Sequence, residues 1–406
     1  MALESNLEVN QMLQQPIKQL SYLGRQALFD LDFIPPKAVL KRNIIEPLSK
    51  VLYDALEENY GMCAMLYGLE GMGKHLFSVK TLKHLKKNIA QTHDYLNDFQ
   101  VITIDCSIND QMDSLYQFAQ ILLQQNNIPF SIPILRTLAT DQICNLIDYC
   151  MKTQTKPLIL IIRNVHDLYL PIYQKFIDLN RTYHKLSIIM TVNTGFQTQA
   201  LKEYGDLDLK LRMGFYDLKE LYQIFSDRCT MAFPRTLSPS VVDFCFNFVT
   251  EFGFKTPDTY ISYLRDTYNV LSKTGSNLDI LRIESQHLVE GYHLELAALC
   301  DYLLESDLIV LLFLENLTQY FSETDNAFIP YKELYQLYEI SASAIEYPTK
   351  KHEFDQILRN LIDIALIVPS SRHCGDKYYL SETPPEVPYF IPMPIEELKS
   401  LMAQSF

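Results

Sequence analysis

The sequence predicts an α/β fold with a parallel sheet, followed by a helical domain and a C-terminal winged-helix domain. Three observations lead to this fold class. Apolar runs typical of buried strands alternate with helical segments from Cys63 to Arg212, as in parallel sheets covered on both faces. Three consecutive helical segments follow Tyr216. Near the C-terminus, further helices precede two short apolar runs that flank a polar loop.

The predicted elements follow in order along the chain. A helix over residues 44–56 comes first. Strands are predicted over residues 63–67, 101–106, 158–162, 186–192 and 207–212, and helices over residues 74–87, 112–125 and 141–152. The helical domain has helices over residues 217–233, 238–251 and 256–271, of which the second begins with a capping serine and a proline. The remainder is helical to Leu366, and strands at Ile367–Val368 and Tyr378–Leu380 flank the polar loop.

Size and composition limit the class of protein. The chain has 406 residues, of which 48% are hydrophobic and 21% charged. This is enough for two to four domains of about 100–200 residues, each with a buried core. The longest apolar run, Leu308 to Leu314, is shorter than the roughly 18 residues of a membrane span. Residues 1–15 show no signal-peptide pattern, so we expect an intracellular protein without a membrane partner.

Charge and cysteine usage exclude two further classes. The formal net charge is −14, which argues against a protein that coats nucleic acid through bulk charge but allows one local basic surface. The eight cysteines include no Cys-x-x-Cys pair, so we expect no zinc site and assign no metal ligand. Most cysteines lie in apolar stretches and are interpreted as small buried side chains in a reducing compartment.

The most informative motif is the glycine-rich stretch from Gly68 to His75. It has the form Gly-x-x-x-x-Gly-Lys, follows a predicted strand and opens a predicted helix, which is the context of a phosphate-binding loop. Glycines let backbone N–H groups face the phosphates, and the helix N-terminus and a lysine stabilise their charge. The alternative is a structural strand-to-helix turn. We predict a nucleotide site that includes Gly68, Gly71, Gly73, Lys74 and His75.

The side chains expected to hold Mg²⁺ are replaced in this stretch and after the strand 158–162. His75 stands where a serine or threonine hydroxyl holds Mg²⁺, and imidazole is a poor ligand for that ion. The strand ends in Arg163-Asn164 instead of an acidic pair. Asp167 comes later, and at about 3.3 Å per residue a continuing strand would place it far away. Either this is the wrong strand or the metal site is lost; no other apolar strand ends in Asp-Glu, which favours the loss.

Two further polar residues at strand ends belong to the predicted nucleotide site. The Arg163 guanidinium could pair with a phosphate and make Mg²⁺ unnecessary, or it could turn away and pair with an acid such as Asp167. Asn193 follows the strand 186–192, where it could orient a water near a phosphate, although asparagine after a strand is also ordinary turn chemistry. We expect ATP or ADP to bind weakly or without Mg²⁺, and we assign no catalytic residue.

A local basic surface is predicted in the C-terminal third. Residues 349–377 contain five Lys or Arg and four acidic residues, whereas the chain as a whole is strongly acidic. Contact with double-stranded DNA and a solvated helical face explain this charge about equally well, and both stay open. The candidate DNA-binding residues lie on a helix that begins near Thr349 and in the polar loop after it. They are Lys350, Lys351, His352, Arg359, Arg372 and Lys377.

The order of these motifs resembles the origin-recognition-complex family of AAA+ replication initiators, including the archaeal initiators, over residues 25–385. The glycine stretch resembles the family's Walker A loop, residues 161–164 occupy the Walker B position, and Asn193 occupies the sensor-1 position. The most family-specific stretch is Phe215 to Arg228, which is similar to the start of the family's lid domain. Phe33 to Pro36, followed by Lys41-Arg42, resembles the segment before the first helix, and residues 331–335 resemble the initiator winged helix.

This sequence also differs from the family's motifs at several positions. Walker A lacks its hydroxyl and Walker B lacks both acids. No arginine lies within Phe254 to Asp258, where the sensor-2 arginine is expected. None lies between Ala200 and Leu209 as an arginine finger, where Lys202 is the nearest cation. The resemblance therefore implies a degenerate member that associates with DNA and other AAA+ initiator subunits, binds nucleotide weakly and does not hydrolyse it.

Two alternatives stay open. The first is an active ATPase switch for origin recognition and helicase loading, which needs Asp167 or another acid at the metal site. The second is a P-loop signalling NTPase related to transcription regulators, against which Phe215 to Arg228 argues by resemblance.

The resemblance and the element pattern together give four predicted regions. They are an N-terminal arm (1–20), an AAA+ P-loop nucleotide-binding core (21–215), a helical lid (216–276) and a winged-helix DNA-binding domain (277–406). The expected compartment is the cytoplasm, in association with the nucleoid, if the protein is archaeal, and the nucleus if it is eukaryotic.

Overall fold

The computed structural model describes residues 22–30, 32–36, 42–92, 99–107, 113–193, 204–205, 207–273, 278–288, 296–324, 326–370 and 387–405. It divides into two compact units, which we call the sheet unit (Val39–Phe215) and the helical unit (Met1–Ala38 together with Tyr216–Phe406). The arm predicted over residues 1–20 lies outside the described residues. A short helix, α1 (Gln26–Phe29), belongs to the helical unit.

The sheet unit is built on five strands in the order β2-β3-β4-β1-β5, and every neighbouring pair is parallel. In chain order the strands are β1 (Cys63–Gly68), β2 (Gln100–Asp105), β3 (Leu158–Arg163), β4 (Leu186–Asn193) and β5 (Leu209–Arg212). The central strands β3 and β4 are buried almost throughout, whereas β2 and β5 at the edges have exposed residues at alternate positions. A central parallel strand is covered on both faces, which is why its apolar run is continuous. The predicted α/β fold with a parallel sheet is confirmed.

Helices cover both faces of this sheet. They are α2 (Arg42–Glu57), α3 (Lys74–Thr92), α4 (Asp113–Gln125), α5 (Ile132–Thr137), α6 (Thr140–Thr153) and α7 (Leu170–Thr182). One face packs against α4, α6 and α7 in an apolar core that includes Ile104, Phe118, Ile147 and Phe176, and α3 packs against β1 and β4. The sequence pattern predicted neither α5 nor α7. Each has a proline in its first two positions, which suits a helix start but resembles a chain break.

The helical unit continues with five helices after Tyr216. They are α8 (Leu218–Ala232), α9 (Pro239–Phe252), α10 (Pro257–Asp266), α11 (Tyr268–Lys273) and α12 (Leu278–Leu288). Asp217 and Glu220 cap α8 reciprocally, each side chain accepting a hydrogen bond from the other residue's N–H, at 2.7 and 2.9 Å. The helix predicted over residues 256–271 is two helices, which meet at Thr267. The Thr267 hydroxyl donates to the Tyr263 carbonyl at 2.7 Å, a bond that often bends helices.

The C-terminal part of the helical unit combines helices with a small antiparallel sheet in the order β6-β8-β7. Its elements are α13 (Leu296–Glu305), α14 (Leu308–Glu323), β6 (Ile329–Pro330), α15 (Tyr331–Ala344), α16 (Lys351–Asp363), β7 (Val368–Pro369), β8 (Pro388–Phe390) and α17 (Ile395–Ser405). The strand predicted at Tyr378–Leu380 lies outside the described residues. The strand that pairs with β7 is β8, which the sequence analysis missed together with β6. Both are short and contain proline, so they show no alternating pattern.

Aromatic rings fill the centre of this part. The ring centroids of Tyr335 and Tyr338 lie 5.3 and 5.4 Å from that of Phe354, and those of Tyr331 and Phe313 lie 5.5 and 5.9 Å from it. The helical spacing of the three tyrosines predicts core packing, and the structure agrees. No helix within the described ranges is both long enough and apolar enough to cross a bilayer.

Candidate nucleotide site

The glycine-rich loop connects the end of β1 to the start of α3. Gly71 and Gly73 have φ angles of 73° and 81°, in the left-handed region that other residues rarely adopt. A Cβ atom at Gly68 would lie 2.8 Å from the carbonyl oxygen of Met213. Any larger residue at Gly68 would therefore force the loop away from the chain that follows β5. The close turn into α3 depends on these glycines.

Lys74 is the first residue of α3, and its ammonium group folds back onto the loop. Its Nζ donates to the carbonyl oxygens of Gly68 at 3.1 Å and Leu69 at 2.5 Å, and the residue is 7% exposed. Burial lowers the pKa of Lys74 to about 8, while the charge of Glu70 acts in the opposite direction. A phosphate on this loop would compete with two carbonyl groups for the ammonium and would favour its charged form.

Asn193 lies at the same edge of the sheet as the loop, because β1 and β4 are neighbours. Gly68 at the end of β1 pairs in register with Asn193 at the end of β4. The Asn193 N–H donates to His166 Nδ1 at 3.3 Å, so the segment after β3 holds the backbone of Asn193 in place. The structure therefore brings together the loop and the residue in the sensor-1 position.

Arg163, the last residue of β3, pairs with an acid that the sequence analysis did not identify. Its Nε lies 3.4 Å from Asp105 Oδ2, and the two residues are register partners at the ends of β3 and β2. Asp105 also accepts hydrogen bonds from Asn164 Nδ2 at 3.0 Å and from the Ser107 hydroxyl at 2.8 Å.

These contacts set the charge of Asp105. Burial raises its pKa, but hydrogen bonds from Ser107 and Asn164 and the charge of Arg163 outweigh burial, so the net pKa is lowered. Asp105 is therefore ionised at neutral pH and offsets the charge of Arg163.

The sequence left open that Arg163 pairs with an acid such as Asp167; it does pair with an acid, but that acid is Asp105. Asn164 adopts a left-handed backbone with φ 55°, and the chain then makes a single 3₁₀ turn, Val165–Asp167. The Asp167 carboxylate lies 3.6 Å from His166 Nε2. Asp105 could not be predicted as the partner of Arg163, because the two residues are far apart in the sequence. The pairing of β2 with β3 brings them together. Its one signal in the sequence is its place at the end of a predicted strand.

The loop fits the phosphates of a nucleotide better than it fits Mg²⁺. His75, the second residue of α3, is partly buried and supplies no hydroxyl. The end of β3 supplies a guanidinium in place of a carboxylate. Within the described ranges, no group of three or more His, Cys, Asp or Glu side chains could hold a metal ion. The glycine backbone and Lys74 are the groups of this loop whose chemistry suits a phosphate.

The candidate DNA-binding residues that the structure describes lie on α16 or just before it. His352 and Arg359 are exposed on this helix. Arg372 and Lys377 lie outside the described residues.

The two lysines of this group already have neighbours. Lys350 Nζ lies 2.7 Å from Glu353 Oε1, so its charge is partly neutralised within the protein. Lys351 Nζ lies 6.0 Å from the centroid of the Tyr331 ring. Of the four described candidates, Lys350 forms an ion pair with a described residue, whereas Lys351, His352 and Arg359 form none with the residues described.

Two arginines of the helical unit hold residues 22–36. Arg228 on α8 donates from Nη1 to the Ala27 carbonyl at 2.5 Å, and its guanidinium carbon lies 4.7 Å from the centroid of the Phe33 ring. Burial lowers the pKa of Arg228 to about 10, so it stays charged at neutral pH. Arg265 on α10 donates from Nε to the Leu28 carbonyl at 3.1 Å. The sequence analysis grouped this segment with the core, whereas it packs within the helical unit.

Comparison with known proteins shows which fold this is. No family model matches the chain, and none of the curated proteins matches it. Among solved structures, Cdc6p from Pyrobaculum aerophilum is similar with a TM-score of 0.64 and 15% identity, covering 94% of this chain and 97% of that chain.

Two Aeropyrum pernix proteins are also similar. The ORC2 protein in its ADP form has a TM-score of 0.53 and 15% identity, covering 95% of this chain and 98% of that chain. The ORC1 protein in complex with DNA has a TM-score of 0.52 and 14% identity, covering 94% of this chain and 96% of that chain. The chain has the fold of the Cdc6 and ORC AAA+ replication initiators.

Proposed function

We propose that this protein is a replication-initiator-like AAA+ protein that associates with DNA and partner initiator subunits, and that binds nucleotide without hydrolysing it. The observation that carries the proposal is the fold similarity to Cdc6p over 94% of the chain. Two of the similar structures were solved with ADP and with DNA, respectively. Since the identity is only 14–15%, the function of this chain must be argued from its own residues.

We infer that the helical unit comprises a lid, residues 216–276, and a winged helix, residues 277–406. The order α14, β6, α15, α16, β7, β8 is that of a winged helix, in which the third helix precedes a pair of antiparallel strands. In this arrangement α16 takes the place of the helix that enters a DNA groove.

Nucleotide binding is supported by the geometry of the loop. Backbone N–H groups at the N-terminus of α3 would donate hydrogen bonds to the phosphate oxygens. The helix N-terminus would also stabilise the negative charge of the phosphates. Lys74 would exchange the carbonyl oxygens of Gly68 and Leu69 for phosphate oxygens. Burial lowers the pKa of Lys74. The negative charge of a bound phosphate would raise this pKa again and so stabilise the charged lysine.

Loss of hydrolysis is supported by the chemistry at the end of β3. Hydrolysis needs Mg²⁺ on the phosphate oxygens and a group that orients the attacking water. Arg163 cannot accept a proton from water, because guanidinium stays protonated at working pH. Asp105, the acid that pairs with it, is engaged by Arg163, Asn164 and Ser107. We therefore expect nucleotide to be held without turnover.

The test compares nucleotide titrations in Mg²⁺ and in excess chelator with a phosphate-release assay on the same protein. The proposal predicts binding under both conditions, weaker binding by Lys74→Ala, and no phosphate release. Equal nucleotide affinity in wild type and Lys74→Ala would show that Lys74 and its loop do not bind the nucleotide.

One observation favours a working ATPase switch as the second candidate. Asp105 is an acid at the same sheet edge as the loop, and the sequence analysis required such an acid for hydrolysis. Mg²⁺-dependent phosphate release that disappears in both Lys74→Ala and Asp105→Asn would establish this candidate and overturn the first.

A further inference from the structure

A groove in the C-terminal part of the helical unit has no role in the proposed function. Its volume is about 560 Å³, and it lies between the α13–α14 turn and the helices α15 and α16. Three acids and three tyrosines line it: Glu305, Asp307, Glu353, Tyr302, Tyr338 and Tyr347. No lysine, arginine or histidine is among the described residues that line it. Its chemistry is therefore acidic and aromatic, which disfavours phosphate groups.

Two of the acids are available for a ligand. Glu305 and Asp307 are exposed, and neither side chain makes a hydrogen bond or ion pair with any residue that the structure describes. Glu353 differs, because it lies 2.7 Å from Lys350 Nζ and accepts from the Tyr347 hydroxyl at 3.2 Å. The charge at the α13–α14 turn is thus not neutralised by described residues.

Tyr338 adds an independent sign of a ligand. The residue is fully buried, yet its hydroxyl has no hydrogen-bond acceptor among the described residues. Burial raises the pKa of Tyr338, so the hydroxyl keeps its proton at neutral pH and remains a donor. A buried donor without an acceptor is unfavourable. A carbonyl group that enters the groove would satisfy it.

We propose that this groove binds a peptide segment of a partner protein that carries lysine or arginine. Glu305 and Asp307 would pair with the cation, the tyrosine rings would stabilise it further, and Tyr338 would donate to a main-chain carbonyl of the segment. Ile309, Val310 and Ile357, which also line the groove, would contact the aliphatic stem of the basic side chain.

This site is separable from the proposed DNA contact. The groove uses Glu353, Gln356, Ile357 and Asn360 of α16, whereas His352 and Arg359 do not line it. Peptide binding and the DNA contacts of His352 and Arg359 therefore involve different residues of one helix, and each is tested by its own variants.

The experiment measures fluorescence anisotropy of a labelled Arg-Leu-Arg peptide with the full chain. A citrulline-Leu-citrulline peptide, which keeps the shape but not the charge, is the matched ligand control. The proposal predicts saturable binding of the arginine peptide, weakened by salt, and little binding of the citrulline peptide. In the double variant Glu305→Gln/Asp307→Asn we expect a loss of about fivefold to tenfold, since each exposed pair contributes modestly. Asparagine caps helices as well as aspartate, so α14 should stay intact.

The matched protein control is Glu315→Gln/Glu397→Gln. Both glutamates are exposed in the same unit and do not line the groove, so this variant removes equal charge and should bind as wild type does. Tyr338→Phe should weaken binding by about twofold to tenfold through loss of one hydrogen bond. Equal losses in the two double variants would mean attraction by bulk charge and would overturn the proposal. Equal binding of the citrulline peptide, or no saturable binding by wild type, would overturn it as well.

Discussion

Arg163 at the end of β3 and Asp105 at the end of β2 form an ion pair across neighbouring strands, with Nε 3.4 Å from Oδ2. Arg163 occupies the Walker B position by resemblance, where an acid would be expected. The pair has opposite consequences for two kinds of chemistry. It withholds the positive charge of Arg163 from a phosphate, and it keeps Asp105 engaged so that the acid is not free to hold a metal.

Asp105→Asn should therefore raise the affinity for nucleotide in the absence of Mg²⁺. The side chains of the pair are 24% and 27% exposed, so releasing Arg163 should gain up to about 1 kcal/mol, or about fivefold in affinity. Titration of a fluorescent ADP analogue in excess chelator measures the change. Arg163→Ala should lower the affinity under the same conditions.

Asp167→Asn is the control for this comparison. It removes an equal charge just beyond β3, the strand of Arg163, but its carboxylate lies near His166, 3.6 Å from Nε2. A gain as large as that of Asp105→Asn would show that general charge, not release of Arg163, controls binding. Unchanged nucleotide affinity in both Asp105→Asn and Arg163→Ala would show that this ion pair does not influence nucleotide binding.

Lys74→Ala should weaken nucleotide binding by about tenfold or more, since a charge-assisted hydrogen bond contributes about 1.5–3 kcal/mol. Lys83→Ala, an exposed lysine on the same helix, serves as the control and should bind as wild type does. Isothermal titration of ADP compares the three proteins. Equal losses in both variants would point to general charge and against the loop.

Nucleotide affinity should fall as pH rises through about 8, the lowered pKa of Lys74. Below this pH the free lysine is charged and ready for phosphate. Above it, binding must first take up a proton, because a phosphate stabilises the charged form and raises the pKa again. Titrations in buffers of different ionisation enthalpy would detect this proton uptake. In Lys74→Ala the proton uptake should disappear, and its persistence would assign it to another group.

Arg359→Ala should make DNA binding less sensitive to salt. Removing one cation that pairs with a phosphate makes the slope of log affinity against log salt shallower by about 0.9, and Lys377→Ala should act in the same way. Lys350→Ala should have a smaller effect, because Glu353 lies 2.7 Å from its ammonium. Lys332→Ala, an exposed residue of α15, is the control. If all of these variants keep the wild-type slope, or if wild type does not bind DNA at low salt, the proposed surface is wrong.

Arg228→Leu should loosen residues 22–36 from the helical unit. The substitution removes the hydrogen bond to the Ala27 carbonyl and the interaction with the Phe33 ring, and it should lower the free energy of unfolding by about 2 kcal/mol. Limited proteolysis would show faster cleavage within this segment, and denaturant unfolding would give the energy. Arg235→Leu, an exposed position, should change neither. Unaltered proteolysis in Arg228→Leu would show that the segment is held by other interactions.

Sequence patterns that act over a few residues predicted most of the secondary structure. The run from Leu158 to Ile162 predicted a buried central strand, and the glycine stretch predicted a strand-to-helix loop. Both patterns work because periodicity, capping and left-handed glycine conformations depend on near neighbours. The same reasoning missed β6 and β8, which owe their existence to pairing with each other and with β7.

By itself the sequence determined the α/β class, the glycine-rich strand-to-helix loop and the presence of Arg163-Asn164 at the end of β3. Only the tertiary structure decided that Arg163 meets Asp105, that Arg228 holds the segment with Phe33, and that Tyr338 is among the residues of an acidic groove. The physical reason is the separation along the chain between the residues that interact. A helix or strand forms from interactions within a few residues, but the partner of a charge is chosen by strand register and helix packing, which join residues far apart in the chain.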